Sequence, residues 1–255
     1  MAPVQRTNTN PNPQWIAAAG RGGNDPQNAQ AFQQSMAGQE SPPSVGGVEF
    51  PNPRNRPEAM PIRQENAQFV HNLYASSPTF YNAVNTATDN GRDPIHVRYG
   101  RTEGSGVGSW NPNNRMVRVD YRHPEADMGR VQGSTSFELI NATSARSHAR
   151  LNNDARNGVH EQRAAAINAQ NPGRRPVTGG ELYGKAVERL EWENARTHHQ
   201  AMTESATAGM PTHPSSDRFG SGFGTSRNPG PWRSFDNYYN DQVQTGHTQR
   251  RLCGT

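Results

Sequence analysis

The chain has 255 residues, a hydrophobic fraction of 31% and a mean hydropathy of -1.01, so it allows one sizeable domain beside polar segments and excludes a chain packed end to end. Its formal charge of +4 comes almost wholly from arginine, with Lys185 the only lysine. The arginines are scattered, with no run beyond Arg174-Arg175 or Arg250-Arg251, which argues against an arginine-rich nucleic-acid-binding protein.

In chain order, residues 1–60 read as a disordered arm. "QRTNTNPNPQW" and "GRGGNDPQNAQAFQQSMAGQESPPSVGG" are rich in Asn, Gln, Pro, Gly and Ser and carry almost no apolar periodicity. Such a segment buries too little surface to offset its chain entropy. A short helix at Asn28–Met36 is the one element expected within it. The domain proper is expected over 61–255. Phe69, Leu73, Phe80, Val84 and Ala87 recur at helical spacing, and Ser77-Pro78 splits the segment into two helices with Ser77 as the second N-cap.

"PIHVRYG" and "RMVRVDY" alternate apolar and polar residues and predict two half-buried strands, with "RTEGSGVGSWNPNN" as the loop between them. A helix is expected from Gly133 to about Asn153, capped by Ser134 or Thr135. A polar connection is expected over 154–179. Next comes a long helix with Thr178 and Glu181 as a capping box and Leu182, Tyr183, Ala186, Val187, Leu190 and Asn194 as its inner face. The stretch 209–231 reads as a flexible loop, and Trp232, Phe235, Tyr238 and Tyr239 anchor a final helix. The expected class is α+β, mainly helical with a small antiparallel sheet.

The stretch that could carry chemistry is Ser134–Ala142, "STSFELINA". In a zinc-peptidase helix, His at i and i+4 hold the metal and Glu at i+1 polarises the attacking water. Here Phe137 and Asn141 occupy the two ligand positions and Glu138 remains. Phe137 cannot ligate and Asn141 offers only an amide oxygen, so no metal or other cofactor is expected. Glu191, Asn194 and His198 follow one another at i, i+3 and i+7 on the long helix, so the three could face one cavity. His247 could close over the same site. The candidate catalytic set is therefore Glu138, Asn141, Glu191 and His247. The other reading of His198-His199 is a cationic pair at a helix end, where it favours the dipole. Cys253 stands alone, which excludes an internal disulfide. No stretch approaches 18 apolar residues, so no membrane span is expected, and the first residues lack the pattern of a Sec signal.

The succession of helix, "PIHVRY", "NRMVRVDY", "STSFELINA" and "YGKAVERLEWENA" resembles the HExxH zinc-metallopeptidase effectors delivered by type III secretion systems. Glu138, Leu139, Ile140 and Ala142 match that family's HELIHA positions over a resemblance spanning about residues 65 to 200. The resemblance implies a zincin-like core, a virulence role, and a secreted protein that reaches the host-cell cytoplasm. It implies a host protein as target and a secretion chaperone at the N-terminal arm, whose acid-poor composition is similar to that of type III substrates. The degenerate FELIN sequence implies either altered chemistry or a catalytically inactive host-protein-binding module. Phe137-Glu138-Leu139, Asn141-Ala142, Glu188, Glu191 and Gly246-His247-Thr248 also resemble a group of bacterial effector-like proteins carrying FEL-x-NA, a Glu-rich helix and a late GHT.

Overall fold

A computed structural model describes residues 44–53, 56–102 and 106–245. The Asn28–Met36 helix, His247 and Cys253 fall outside these residues. The chain divides into two compact units. The first comprises Met1–Thr143 with Thr197–Arg218, and the second Ser144–Arg196 with Phe219–Thr255.

The first unit is a helix-backed sheet. Its strands are β1 (Ser44–Val45), β2 (Val48–Glu49), β3 (Ile95–Tyr99), β4 (Gly108–Asn111) and β5 (Met116–Val119), and its helices are α1 (Met60–Ser76), α2 (Pro78–Ala87) and α3 (Met128–Asn141). The strand order is β1-β2-β3-β5-β4. Residues 44–49, which composition assigned to the arm, thus form a hairpin, and Val45, Val48 and Phe50 are buried in the core. Polar sequence on both sides hides these few apolar residues from any periodicity argument.

The sheet is mixed, which corrects the expected antiparallel arrangement. β2 and β5 each run parallel to β3, and only β1–β2 and β4–β5 are antiparallel. The reason lies in the connection after β3. The chain first lays down β4 as the outer strand, then turns back by a tight hairpin and places β5 in the slot beside β3. β5 therefore points the same way as β3. β4 itself falls within the segment expected to be loop, because "GSWN" has no alternation to show it.

The alternation in β3 and β5 has the predicted consequence. Ile95, Val97, Tyr99, Val117 and Val119 are buried, while His96, Arg98, Met116 and Arg118 take the other face. The inward residues join Phe69, Val70 and Leu73 of α1, Phe80 and Val84 of α2, and Leu139 and Ile140 of α3 in one core. Ser77 caps α2 as expected, accepting the Phe80 N–H at 3.0 Å.

The second unit is helical. It contains α4 (Ala145–Arg156), α5 (Val159–Gln170), the Gly179–Arg196 portion of α6 (Gly179–Thr207), α7 (Gly220–Phe223) and α8 (Phe235–Gln244). The helix expected over 133–153 breaks at a 3-10 turn, Ala142–Ser144, and the supposed connection after 154 is largely α5. Thr178 and Glu181 form the expected reciprocal cap: the Glu181 N–H donates to Thr178 Oγ1 at 3.1 Å, and the Thr178 N–H to Glu181 Oε2 at 2.8 Å. Leu182, Tyr183, Ala186, Val187 and Leu190 are only half-buried, and the deepest row of α6 in this unit is Gly184, Glu188, Asn194 and Ala195. An aromatic cluster anchors the end of the unit, with the Trp232 ring meeting Phe223 and Tyr238 edge-on at 5.5 and 5.0 Å.

Candidate functional site

The helix carrying the FELIN residues starts earlier than its sequence suggests. Asp127, not Ser134 or Thr135, is the cap, accepting the Arg130 N–H at 2.7 Å. The expected caps lie inside α3, where every residue from Val131 to Ile140 is buried. A helix buried all round must satisfy its hydroxyls internally. Thr135 donates to the Val131 carbonyl at 2.8 Å and accepts from Asn66 Nδ2 at 2.8 Å; Ser136 donates within reach of the Gln132 and Gly133 carbonyls.

Glu138 and Asn141 form a pair. Asn141 Nδ2 donates to Glu138 Oε2 at 3.0 Å; Glu138 is only 8% exposed and Asn141 is half-buried. Strand β4 lies directly against this part of α3. A Cβ on Gly108 would stand 2.9 Å from Ser134 Cβ and 3.2 Å from Glu138 Cγ, so the absence of a side chain at 108 is what lets the strand approach. The site is thus a shielded carboxylate, held by a side-chain amide, beside the strand that is outermost among the described residues.

A second polar group in the same unit was not foreseen. His198 is fully buried, and its Nε2 lies 3.0 Å from Ser136 Oγ. Its Nδ1 is 3.9 Å from Asp217 Oδ1, and the other oxygen of Asp217 holds His199 Nδ1 at 2.7 Å. Arg218 stacks over the Phe137 ring at 5.6 Å, and Phe137 meets His198 edge-on at 5.9 Å. Burial pushes the His198 imidazole down to about 4, with Asp217 only partly opposing it, so the ring is neutral at pH 7. These histidines do not sit at a helix end, because α6 continues to Thr207.

Ser136, His198 and Asp217 occur in the order of a hydrolytic triad, but the geometry argues for a structural network. Ser136 is sealed from solvent, and its hydroxyl lies within hydrogen-bond reach of two backbone carbonyls and of the imidazole, whose role as donor or acceptor depends on its tautomer. The His198–Asp217 separation also exceeds hydrogen-bond length. Asp217 and Arg218 could not have been found from spacing, since they sit in the stretch read as flexible loop. The i, i+7 spacing placed His198 on an inner face, and that much was legible.

Glu191 is half-buried in the second unit, and His247 lies outside the described residues. The deeper acid of α6 is Glu188, fully buried and accepting the Tyr238 hydroxyl at 3.1 Å. Asn194 donates to Ser144 Oγ at 2.8 Å.

The residues at the two ligand positions do not fit zinc. Phe137 presents a ring to His198 and Arg218, the amide nitrogen of Asn141 faces Glu138, and among the described residues no group of three His, Cys, Asp or Glu side chains is placed to hold a metal ion. Among the same residues no helix is long and apolar enough to cross a membrane. Comparison with protein-family models, with curated proteins and with solved structures gives no match.

Proposed function

We propose that the chain is a bacterial type III secreted effector that acts in the host-cell cytoplasm through a degenerate metallopeptidase-like domain, and that this domain works by capturing an extended segment of a host protein. One observation carries the binding part of this reading: among the described residues β4 is the terminal strand of the sheet, and it lies beside the buried Glu138–Asn141 pair. The Asp120 N–H donates to the Val107 carbonyl, which marks that pair as hydrogen-bonded; alternation then turns the N–H and C=O of Ser109 and Asn111 toward β5 and those of Gly108 and Trp110 away from it, toward the outer side of the strand. An unpaired edge is a template for strand addition, with main-chain bonds supplying affinity. The secretion part rests on the acid-poor Asn/Gln/Pro composition of residues 1–60 and on the HELIHA-like frame of the sequence.

Paired substitutions test the edge. Trp110→Pro and Trp110→Thr both remove the indole, but only proline removes the outward N–H. Co-purification of crosslinked host protein is expected to survive Trp110→Thr and to be lost in Trp110→Pro at matched melting temperatures; equal capture by both rejects the edge. Residues 1–60 fused to a reporter should enter host cells only with a functional secretion apparatus. Entry without it, or no entry at all, removes the effector premise.

The second reading is an enzyme using Glu138 as general base, supported by its burial beside a strand edge. Glu138→Gln abolishing the host phenotype while sparing capture would favour it.

A further inference from the structure

The face of the sheet opposite the helices carries a charge arrangement that the edge-strand reading does not use. Arg98 of β3 and Arg118 of β5 are direct partners in the parallel register and project from the same face. Like charges placed opposite each other on neighbouring strands repel. Arg56 and Arg101 join them around a cavity of about 350 Å³, floored by Tyr99 and Gly100. Arg56 is held there by donating to the Tyr99 carbonyl at 3.2 Å. Gly100 permits this: with φ at +154°, a Cβ would stand 2.3 Å from the guanidinium, so any other residue would displace Arg56.

Elsewhere in this unit arginines meet carboxylates: Arg115 with Asp93, Arg122 with Glu58 and Arg130 with Glu125. Among the described residues none of the four cavity arginines makes such a pair, and Arg118 Nε is buried with no hydrogen-bond partner. Four arginine side chains around one cavity, with Arg118 Nε unpartnered among the described residues, match the oxygens of a phosphate, which takes the planar fork two bonds at a time. The cavity is of small-molecule size.

We propose that this arginine-lined cavity binds a compact phosphate-bearing small molecule, with Arg98 and Arg118 as paired forks and Arg56 as a fixed third contact. The repulsion between the two strand arginines then becomes part of the binding energy, because the ligand's charge relieves it.

The test is titration of inorganic pyrophosphate into the full chain at low salt, followed by calorimetry and thermal melting. Saturable binding and a raised melting temperature are expected, and inorganic phosphate should bind more weakly at the same site. Arg98→Gln and Arg118→Lys should each weaken binding about tenfold or more, Arg118→Lys because it keeps the charge but loses the fork. Arg175→Gln, on an exposed arginine of the other unit, should leave it unchanged. Arg98→Gln removes an exposed side chain, so it tests the site even if Arg118→Lys perturbs the sheet. No saturable binding of pyrophosphate overturns the proposal. So does equal affinity across the variants, or a single-stranded oligonucleotide held by these arginines that pyrophosphate fails to displace.

Discussion

His198 makes the stability of the first unit acid-sensitive in a way that can be worked out. Its imidazole is fully buried and titrates near 4, against 6.5 for a free histidine, with desolvation as the main cause. A group whose folded value lies below its unfolded one contributes stability above the unfolded value and loses it as pH falls toward the folded one. The unfolded chain therefore takes up a proton from about pH 6.5 downward, while the folded chain resists until about pH 4. A difference of about 2.5 pH units at 1.36 kcal/mol each gives a loss of about 3 kcal/mol between pH 7 and pH 4. His198→Gln keeps a polar group near Ser136 and removes the titration. Urea denaturation at several values between pH 7.5 and 4 measures both proteins. The variant is expected to start about 1–3 kcal/mol less stable, from lost packing and the altered bond to Ser136, and then to fall less steeply. Carboxylates titrate in both proteins and cancel in the difference. If the two pH profiles run parallel, His198 is not the group responsible and the burial argument fails.

Two further perturbations are read from the same packing. Glu204 of α6 accepts from the Ser77 hydroxyl at 2.6 Å, the Thr79 N–H at 3.0 Å and the Thr79 hydroxyl at 2.7 Å, thereby holding the first turn of α2. Burial raises its carboxyl and these bonds lower it further, leaving it below the ordinary value. Glu204→Gln is expected to cost about 1–2 kcal/mol at pH 7, read as a drop in melting temperature of about 2–4 °C per kcal/mol, with the gap closing as pH falls through the carboxyl's folded value. In the second unit, Glu188→Ala removes an acceptor of the Tyr238 hydroxyl and empties a fully buried position. A loss of about 2–4 kcal/mol in denaturant unfolding is expected, and an unchanged midpoint would show that the buried carboxylate is not needed there.

What was legible in the sequence follows the reach of each signal. The β3 and β5 alternation, the Ser77-Pro78 break and the Thr178–Glu181 cap are local, and each stands where the residues place it. Strand direction was not legible, because it depends on β4 being laid outside β5, and "GSWN" gives no period. The start of α3 was missed because Gly129 makes its first turn look like loop, whereas Gly129 and Gly133 are the points where Ser215 and Ser216 approach the helix closely. At the candidate site, the Glu138–Asn141 pair is three residues apart and could be read. The bonds of Ser136 to His198 and of His199 to Asp217 join distant segments. Polar residues in a buried helix report only that a partner exists, not where it lies.

β3 has a consequence for how the first unit folds. Both of its neighbours run parallel to it, so neither pairing can arise as a hairpin: Val48 must find Ile95 across two helices, and His96 must find Met116 across β4 and its loops. Each closure spends chain entropy before any ladder bond is returned. The expected order is that α1 and α2, joined at Ser77, collapse first and give the central strand a surface, and that the sheet closes last. Folding in milliseconds to seconds, not microseconds, is the corresponding timescale.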